Sequence, residues 1–382
     1  MNCKKSEFNL DTTVTYLNCA YMSPVMRCVE DAGIRGIRKK RKPNVISGSD
    51  FFSESDELRH EFSKLINAEH NNQCVIIPSV SYGMANVAKN LKLDKGDNII
   101  VVGEQFPSNV YPWMEVAQNA EAEIITITPP KSISERGKLW NEKILNAINE
   151  RTQLVACGHI HWADGTIFDL RSIRQKTYEV GAWLAVDATQ SLGALPFDVQ
   201  QLKPDALIAA GYKSLMGPYS IGMAYYSSEF DSGTPIEQNW INRFESENFA
   251  NLVNYNANYQ PGALRYEVGE HSNFILVPMM LEALKKLNEW NPENIYTYLV
   301  ELVEEPISKL RSAGFIIEET QYRASNLFGI RLGAQHNMDK IKSDLSEANV
   351  FVSYRGDAIR VSPNVYNDTN DLATLVNVLT AK

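Results

Sequence analysis

The sequence predicts an α/β fold with a mostly parallel seven-stranded sheet and a second, smaller α+β unit. From about residue 74 onward, short apolar runs alternate with longer segments whose apolar residues recur at helical spacing. The runs are apolar throughout, which is typical of parallel strands covered by helices on both faces. The chain has 382 residues, of which 44% are hydrophobic, so it is long enough for about two or three domains with a sizeable core.

Seven apolar runs are predicted to be the strands of the main sheet. In chain order they are residues 74–77, 98–102, 123–127, 154–157, 183–186, 206–209 and 221–226. Helices are predicted among them at residues 82–91, 144–148 and 173–180. Because ligands of such sheets bind beyond the carboxyl ends of the strands, the residues that follow each strand are the candidates for a functional site.

The C-terminal part of the chain has a different pattern. Residues 231–260 are rich in Asn, Gly, Glu and Trp and show weak periodicity, which favours a lid or an arm. An amphipathic helix is predicted at residues 278–290. The smaller unit is predicted to contain strands at 325–332 and 358–361 and helices at 338–347 and 370–379.

Charge and cysteine content exclude several functions. The net charge is −9, which is unsuited to a general binder of the nucleic-acid backbone. The five cysteines are odd in number and lack CxxC spacing, which favours free thiols in a reducing compartment over zinc or a disulfide framework. Since no apolar signal region and no run of about 18 apolar residues is present, we expect a cytoplasmic protein without a membrane span.

Other catalytic motifs were tested and are not supported. No GxGxxG follows a strand, no GxSxG is present, and the sequence around Lys213 lacks the glycines of a phosphate-binding Walker loop. His159 and His161 are interpreted as structural rather than as metal ligands.

Two strand ends carry a lysine and an aspartate. Asp187 ends one predicted strand, and Lys213 follows the next strand, 26 residues later. Because the carboxyl ends of neighbouring parallel strands meet at one edge of the sheet, both side chains are predicted to lie there. Pyridoxal phosphate (PLP) chemistry requires such a pair: the amine forms a Schiff base, and the carboxylate pairs with the protonated pyridine nitrogen so that the ring acts as an electron sink.

Residues 186–218 resemble the lysine-containing signature of the class V aminotransferases. In that family a strand ends in Val-Asp-Ala-x-Gln, an Asp-Ala pair follows, and the lysine precedes a Gly-Pro. The resemblance implies that Lys213 forms the Schiff base and shuttles the Cα proton of the substrate. It also implies that Asp187 is the partner of the pyridine nitrogen and that Gln190 contacts the phenolic oxygen of the cofactor.

The resemblance extends over nearly the whole chain and implies the fold type I architecture of PLP-dependent transferases. It implies a large PLP-binding domain at residues 16–260 and a small domain that combines residues 1–15 with 261–382. The segment Tyr-Leu-Asn-Cys-Ala near the N-terminus is similar to the family's strand beside the substrate, which implies a substrate contact for Asn18. A homodimer is expected, because fold type I sites lie at a subunit interface.

The turn after the first predicted strand is similar to the family's phosphate-binding turn. Its small residues allow backbone N–H groups and a hydroxyl to approach a phosphate at a helix N-terminus. The resemblance implies that Val80 and Ser81 hold the PLP phosphate. Ser81 is also a candidate N-cap, which is compatible with that role. The hydroxyl of Tyr212, a position that is histidine in many relatives, is expected to reach the phosphate.

Further matches concern the ring and the substrate. Phe106 lies in a Phe-Pro-Ser loop that resembles the loop carrying the ring-stacking residue, often histidine in relatives. Arg360 matches the family's C-terminal arginine, which implies bidentate binding of the substrate α-carboxylate. Trp162 stands where relatives often have asparagine, and we expect it to form a wall of the substrate pocket.

Two departures from the family pattern bear on function and assembly. Cysteine desulfurases carry a catalytic cysteine shortly before the C-terminal arginine, but residues 350–357 contain none, so desulfurase activity is not expected. In relatives the residue after an Arg-Phe-Glu-x-Gly segment reaches the phosphate of the partner subunit. Here that residue is Glu270, and His271 or Ser272 are the alternatives for this contact.

These residues limit the reaction to a few PLP-dependent classes and do not select one of them. An aminotransferase acting on an amino acid is the first hypothesis. A PLP-dependent lyase or epimerase is the second, since the site is similar to the epimerase-like and kynureninase-like branches. A non-enzymatic PLP-binding regulator is the third, and it would need a DNA-binding domain that the sequence lacks. The side chain of the substrate stays open: acidic, basic and apolar pockets are all compatible with these residues.

Overall fold

The structure, a computed structural model, describes residues 1–132 and 135–381. Its strands are β1 (Thr15–Tyr16), β2 (Cys74–Ile77), β3 (Asn98–Val102), β4 (Glu123–Ile127), β5 (Thr152–Gly158), β6 (Trp183–Asp187), β7 (Ala206–Ala210), β8 (Gly222–Tyr226), β9 (Phe328–Arg331), β10 (Val350–Phe351), β11 (Ser353–Arg355) and β12 (Ala358–Val361). Its helices are α1 (Arg27–Lys39), α2 (Ser53–Leu65), α3 (Val80–Asn90), α4 (Tyr111–Ala120), α5 (Arg136–Ala147), α6 (Leu170–Val180), α7 (Val199–Leu202), α8 (Leu276–Trp290), α9 (Pro292–Ser312), α10 (Met338–Glu347) and α11 (Thr369–Thr380). Strands and helices alternate from β2 to β7, as the apolar pattern predicted.

The main sheet has seven strands in the order β2-β8-β7-β6-β5-β3-β4. Strand β8 runs antiparallel to both of its neighbours, and the other pairs are parallel. Each predicted apolar run forms one of these strands, with ends that differ by at most two residues. The predicted mostly parallel sheet of a fold type I enzyme is therefore confirmed.

This sheet is buried on both faces because successive side chains of a strand point to opposite sides. Val75 and Ile77 of β2 pack in a cluster with α3 and α4 on one face. Ile76 between them packs on the other face, in a larger cluster that includes α5, α6 and α8. Burial of one such aliphatic side chain contributes roughly 1.5–3 kcal/mol. The double burial explains why these strands are apolar throughout.

The C-terminal part forms a second, antiparallel sheet in the order β11-β12-β9. Strand β1 pairs in parallel with β10, which brings the N-terminal segment to this part of the molecule. Helix α9 packs against α11, but α8 packs against α1 and α2. The division into residues 16–260 and residues 1–15 with 261–382 stays a prediction, and we propose a boundary after Trp290 because of the packing of α8.

Sequence-based prediction missed helices α1, α2, α4, α7 and α9, and for α1 and α9 the reason is identifiable. Helix α1 buries a face that consists of Val29, Ala32, Gly33 and Gly36, so it lacks the stripe of large apolar residues that marks a helix. Gly36 is required there, because a Cβ at this position would lie 2.0 Å from the carbonyl oxygen of Phe274. Helix α9 contains an internal proline, which interrupts the sequence pattern of a helix.

The segment 231–260 is irregular in structure. It contains a short 3-10 turn at Phe249–Asn251 and an isolated bridge between Arg243 and Tyr259. Tyr255 is 99% exposed. The absence of regular strands and helices from this described segment agrees with its weak periodicity, whereas its role as a lid or arm stays a prediction.

Within residues 1–132 and 135–381, no helix combines the length and the apolarity needed to cross a bilayer. The cytoplasmic location stays a prediction.

Candidate active site

A cavity of about 320 Å³ lies at the carboxyl edge of the main sheet, where α/β sheets bind ligands. Eight of the predicted site residues line it: Val80, Ser81, Phe106, Trp162, Asp187, Gln190, Tyr212 and Lys213. They come from the N-terminus of α3, from the last residue of β6 and from the loops that follow β3, β5, β6 and β7. The structure thus brings together the residues that the sequence predicted for the cofactor, and it places Trp162 with them.

Asp187 is the last residue of β6, and its partly buried side chain lines the cavity. Its Oδ1 accepts a hydrogen bond from the backbone N–H of Thr189 at 3.0 Å. Burial raises the pKa of Asp187, against the lowering effect of the Thr189 hydrogen bonds and the charge of Lys213. Among the described residues no cation forms a salt bridge with this carboxylate, so a cationic group bound in the cavity would stabilise its charged form.

Lys213 lies in the turn between β7 and β8 and is 7% exposed. The turn is fixed on both sides: the carbonyl of Lys213 accepts a hydrogen bond from Met216 N–H at 2.8 Å, and the carbonyl of Tyr212 accepts one from Ser23 N–H at 3.0 Å. Burial lowers the pKa of Lys213 to about 8. A substantial fraction of this amine is therefore neutral near pH 8, which is the state that a nucleophile or a base requires.

The N-terminus of α3 points its free amides at the same cavity. Helix α3 begins at Val80, and the side chain of Ser79 accepts a hydrogen bond from Tyr82 N–H at 3.2 Å. Ser79 is therefore the N-cap, and the prediction of Ser81 as a possible cap is wrong, because a cap must precede the first helical residue. The Ser81 hydroxyl instead donates to Ser108 Oγ at 2.9 Å, so hydroxyls and helix amides together form an anion site.

An aromatic wall closes one side of the cavity. The rings of Phe106 and Trp162 meet edge to face, with centroids 5.5 Å apart. Trp162 is held by a hydrogen bond from its Nε1 to the carbonyl oxygen of Glu104 at 2.7 Å. The Lys213 amine lies 5.6 Å from the centroid of the Phe106 ring, so this ring borders the space next to the amine.

Arg360 and Asn18 lie beside the cavity rather than in its lining. Arg360 of β12 is 1% exposed, and its guanidinium donates to the carbonyl oxygen of Trp162 at 2.9 Å and to Ser353 Oγ at 3.3 Å. Ser353 Oγ in turn donates to Asn18 Oδ1 at 2.8 Å. Within the described part of the chain the buried Nε of Arg360 has no hydrogen-bond partner. Burial and the charge of Arg355 lower the pKa of Arg360 to about 10, so the group is cationic at neutral pH.

The residues present fit PLP. Asp187 is a buried carboxylate suited to the pyridinium nitrogen, and the N-terminus of α3 with Ser81 is suited to the phosphate. The buried Oε1 of Gln190 has no hydrogen-bond partner among the described residues, while its amide nitrogen donates to the carbonyl of Ala20 at 3.4 Å. A buried amide of this kind is completed by a polar ligand atom.

Several lining residues were not predicted from the sequence, namely Ser79, Ser108, Thr189, Tyr219 and Ser220. Ser79 and Thr189 directly adjoin strand ends, so the rule that already selected their neighbours could have found them. Tyr219 packs on Tyr212, with ring centroids 4.6 Å apart, and no local sequence signal marks this contact.

His159 and His161, the two histidines of the His-x-His sequence, have different surroundings. His161 is buried against Trp140, and its Nδ1 lies 3.1 Å from Asp164 Oδ1. His159 packs edge to face on Phe197. Burial lowers the pKa of His159 to about 4, so its imidazole is neutral at physiological pH.

The fold and the cavity together define a PLP-binding α/β protein, and comparison with known proteins gives the family. Residues 44–373 match the family described as aminotransferase class V. The chain therefore belongs to this family of PLP-dependent enzymes, and the predicted cofactor is confirmed at that level.

Three relatives illustrate the range of the family. The chain is 26% identical over 334 residues to an uncharacterized aminotransferase, YcbU, from Bacillus subtilis. The aligned region covers 86% of this chain and 84% of the relative. A solved structure of apo cysteine desulfurase from Thermococcus onnurineus NA1 superposes with a TM-score of 0.84 at 20% identity, over 100% of this chain and 98% of the other. The structure of a C-DES mutant with glycine covalently linked to PLP superposes with a TM-score of 0.87 at 17% identity, over 99% of both chains. Since the activities of these relatives differ, family membership does not specify the reaction.

Proposed function

We propose that this protein is an aminotransferase that acts on an amino acid through Lys213. The observation that carries the proposal is the buried Lys213 amine, which faces the same cavity as the Asp187 carboxylate, with Arg360 beside the cavity wall. These groups meet the needs of an α-amino acid: a base for the Cα proton and a cation for the α-carboxylate.

Bound PLP supplies an electron sink for the negative charge that develops at the substrate Cα. Asp187 would pair with the protonated ring nitrogen, because a carboxylate in a desolvated site is stabilised by a cationic partner. Lys213 Nζ, with its lowered pKa, would remove the proton from the substrate Cα and hold it for return during the reaction. Arg360 holds the α-carboxylate, and its unpartnered Nε is free for this contact.

The distribution of cysteines supports a reaction other than cysteine desulfuration. No cysteine is present in the hairpin formed by β11 and β12. Cys19 is near Lys213, but burial raises the pKa of its thiol to about 11, and its sulfur accepts a hydrogen bond from Asn364 at 3.3 Å. A buried neutral thiol is a poor nucleophile, so it is unsuited to accept sulfur and form a persulfide.

Whether the enzyme could act as an epimerase depends on which side chains face the substrate from the side opposite Lys213. A two-base epimerase needs a proton donor on each face of the substrate Cα. Phe106 lines the cavity, and its ring carries no proton to exchange, so it would not serve as the second base. A lyase that uses Lys213 as its single base is the second candidate, and the aromatic wall of Phe106 and Trp162 is compatible with it.

The test is to incubate the PLP-loaded enzyme with single amino acids and no acceptor. An aminotransferase releases up to one equivalent of keto acid and no ammonia, because the nitrogen stays on the cofactor. Repeated release of both keto acid and ammonia would assign a lyase. Inversion at Cα without keto acid would assign an epimerase.

A homodimer is part of the proposal. The segment 231–260 exposes Trp240, Phe249 and Val253, and such a group of apolar side chains is typical of a protein interface. His271 is an unsuitable ligand for the partner's phosphate, because it is buried and its Nδ1 lies 3.1 Å from Ser55 Oγ. Ser272 and the exposed Glu270 remain the candidates. Sedimentation of the PLP-loaded protein as a monomer at micromolar concentration would contradict the dimer.

A further inference from the structure

Two arginines lie on one face of the hairpin formed by β11 and β12. In the antiparallel register Ser353 is opposite Arg360, and Arg355 is opposite Ala358. Since side chains alternate along a strand, Arg355 shares a face with Ser353 and therefore with Arg360. The two arginines are diagonal cross-strand neighbours, a relation in which long side chains reach each other.

Both guanidinium groups contact Trp162 of the cavity wall. Arg360 donates to the carbonyl oxygen of Trp162 at 2.9 Å, and the guanidinium carbon of Arg355 lies 5.5 Å from the centroid of the Trp162 ring. Arg355 also donates to its neighbour, the carbonyl oxygen of Tyr354, at 2.7 Å. The face that holds both arginines is therefore turned toward the substrate side of the cavity.

Neither arginine has a counter-ion among the described residues. The nearby acidic side chain of Asp357 lies 3.0 Å from Arg331 Nε instead, and no salt bridge of the described chain includes Arg355 or Arg360. Together with burial, the charge of Arg355 lowers the pKa of Arg360, so the two cations repel each other. An unpaired cluster of this kind beside a ligand cavity is typical of a functional site.

One anionic group of the substrate accounts for only one of these charges. If the α-carboxylate binds Arg360, as proposed above, then Arg355 is left without a partner. We infer that Arg355 binds a second anionic group on the substrate side chain, so that the substrate class is an acidic amino acid with a carboxylate or a similar oxyanion on its side chain. This inference rests on the proposed function.

Position and chemistry agree with this assignment. The planar guanidinium of Arg355, stacked beside the Trp162 ring, presents N–H donors in the fork geometry that matches an oxyanion. Arg360 is 1% exposed, and burial of this kind strengthens the attraction of a cation for an anion. An amino acid with a neutral side chain would leave Arg355 partly desolvated and unpaired, and such a charge disfavours binding.

An equilibrium measurement tests the inference without any reaction. Succinate carries two carboxylates and has no amine, and succinamate is its matched monoanion. By calorimetry with the PLP-loaded protein, we expect succinate to bind at least about tenfold more tightly than succinamate. In Arg355→Gln this ratio falls to near one, whereas Arg360→Gln weakens the binding of both ligands. Equal affinity of the native protein for the two ligands, or no binding of succinate, would overturn the inference.

Turnover gives the second readout. The native enzyme should have a kcat/KM for aspartate or glutamate that exceeds the value for the corresponding amide, asparagine or glutamine. Arg355→Gln should lower this preference at least about tenfold, mainly through a higher KM for the acidic amino acid. Arg171→Ala removes an exposed arginine of α6 and is the matched control for loss of one positive charge; it should leave the preference unchanged.

The outcomes separate this inference from the proposed function. Transamination of neutral amino acids with no preference for acidic ones, and no effect of Arg355→Gln on the preference, would overturn the inference while the aminotransferase stands. Absence of keto acid from every amino acid, together with preferential binding of succinate, would contradict the aminotransferase and leave the paired-arginine site in place.

Discussion

The cofactor side and the substrate side of the cavity are built in different ways. On the cofactor side, Asp187 and Lys213 follow neighbouring strands of one sheet, and Val80 starts the helix after another strand. On the substrate side, Asn18, Trp162 and Arg360 come from three distant segments that are joined by hydrogen bonds through Ser353. The cofactor side is thus defined by strand ends, and the substrate side by the docking of two parts of the chain.

The largest expected effect is on the cofactor side. Lys213→Ala removes the base, and we expect the rate of keto acid formation to fall by about 10²–10⁴-fold. Single-turnover measurement with a fixed amount of bound PLP checks this. Retention of PLP by the variant, through the anion site at α3, is the control. A rate within tenfold of the native enzyme would show that another group moves the proton.

A stability experiment probes the connection between the two sides. Asp164 accepts hydrogen bonds from Arg136 at 3.2 Å and Arg331 at 2.9 Å, and Arg331 belongs to the small sheet. Asp164→Ala removes the buried carboxylate shared by both cations and leaves them only the exposed partners Asp357 and Glu104, so we expect the free energy of unfolding to fall by about 3–5 kcal/mol. Urea denaturation measures it. The exposed pair of Lys95 and Glu121 provides a control, Glu121→Ala, which should cost at most about 1 kcal/mol.

The contribution of the Asp164 carboxylate to stability should depend on pH. Its pairing with His161 and Arg331 holds the pKa of Asp164 well below its usual range despite burial. A depressed pKa means that this contribution to stability is present above the unfolded value near 4 and is lost as the pH falls below it. Asp164→Asn should therefore flatten the acid limb of the stability profile. An acid limb identical to that of the native protein would show that other carboxylates dominate it.

On the substrate side, Arg360→Ala should raise KM for amino acids. Loss of a buried charged contact to the substrate carboxylate corresponds to about 2–5 kcal/mol, or at least about 30-fold in kcat/KM. A variant with unchanged KM would place the α-carboxylate elsewhere and would break the proposed division into two sides.

The pH dependence of PLP incorporation tests whether Lys213 is the nucleophile that binds the cofactor. Burial lowers the pKa of this amine to about 8, and only the neutral amine can attack the aldehyde of PLP. The rate of PLP incorporation into the apo protein should therefore rise with pH through about 8 and level off above it. Stopped-flow absorbance at constant ionic strength measures the rate. A midpoint above 10 would indicate an exposed, unperturbed lysine.

The smallest expected effects distinguish the roles of Ser79 and Ser81, which are two residues apart. Ser79→Ala removes the N-cap of α3, and we expect a loss of about 1 kcal/mol in the free energy of unfolding. Ser81→Ala leaves the cap intact and should instead weaken the retention of phosphate ligands. Equal loss of stability in both variants would contradict the assignment of Ser79 as the cap.

Sequence-based prediction succeeded where local patterns decide structure. The strands of the main sheet were located to within two residues, because strands buried on both faces must be apolar throughout. It failed for α1, whose buried face is built from small residues, and for the cap of α3, since two serines are separated by only one residue. The substrate contacts of Arg360 and Asn18 stay predictions, and the structure places both residues beside the cavity rather than in its lining.

By itself the sequence determined the main sheet, the class of cofactor and the lysine that serves it, because strand ends and their following residues are adjacent in the chain. Only the tertiary structure decided which distant groups meet. The pairing of β11 with β12 sets Arg355 beside Arg360, and the docking of this hairpin sets both against Trp162. Neighbours across strands and between segments depend on register and packing, and these have no local signal in the sequence.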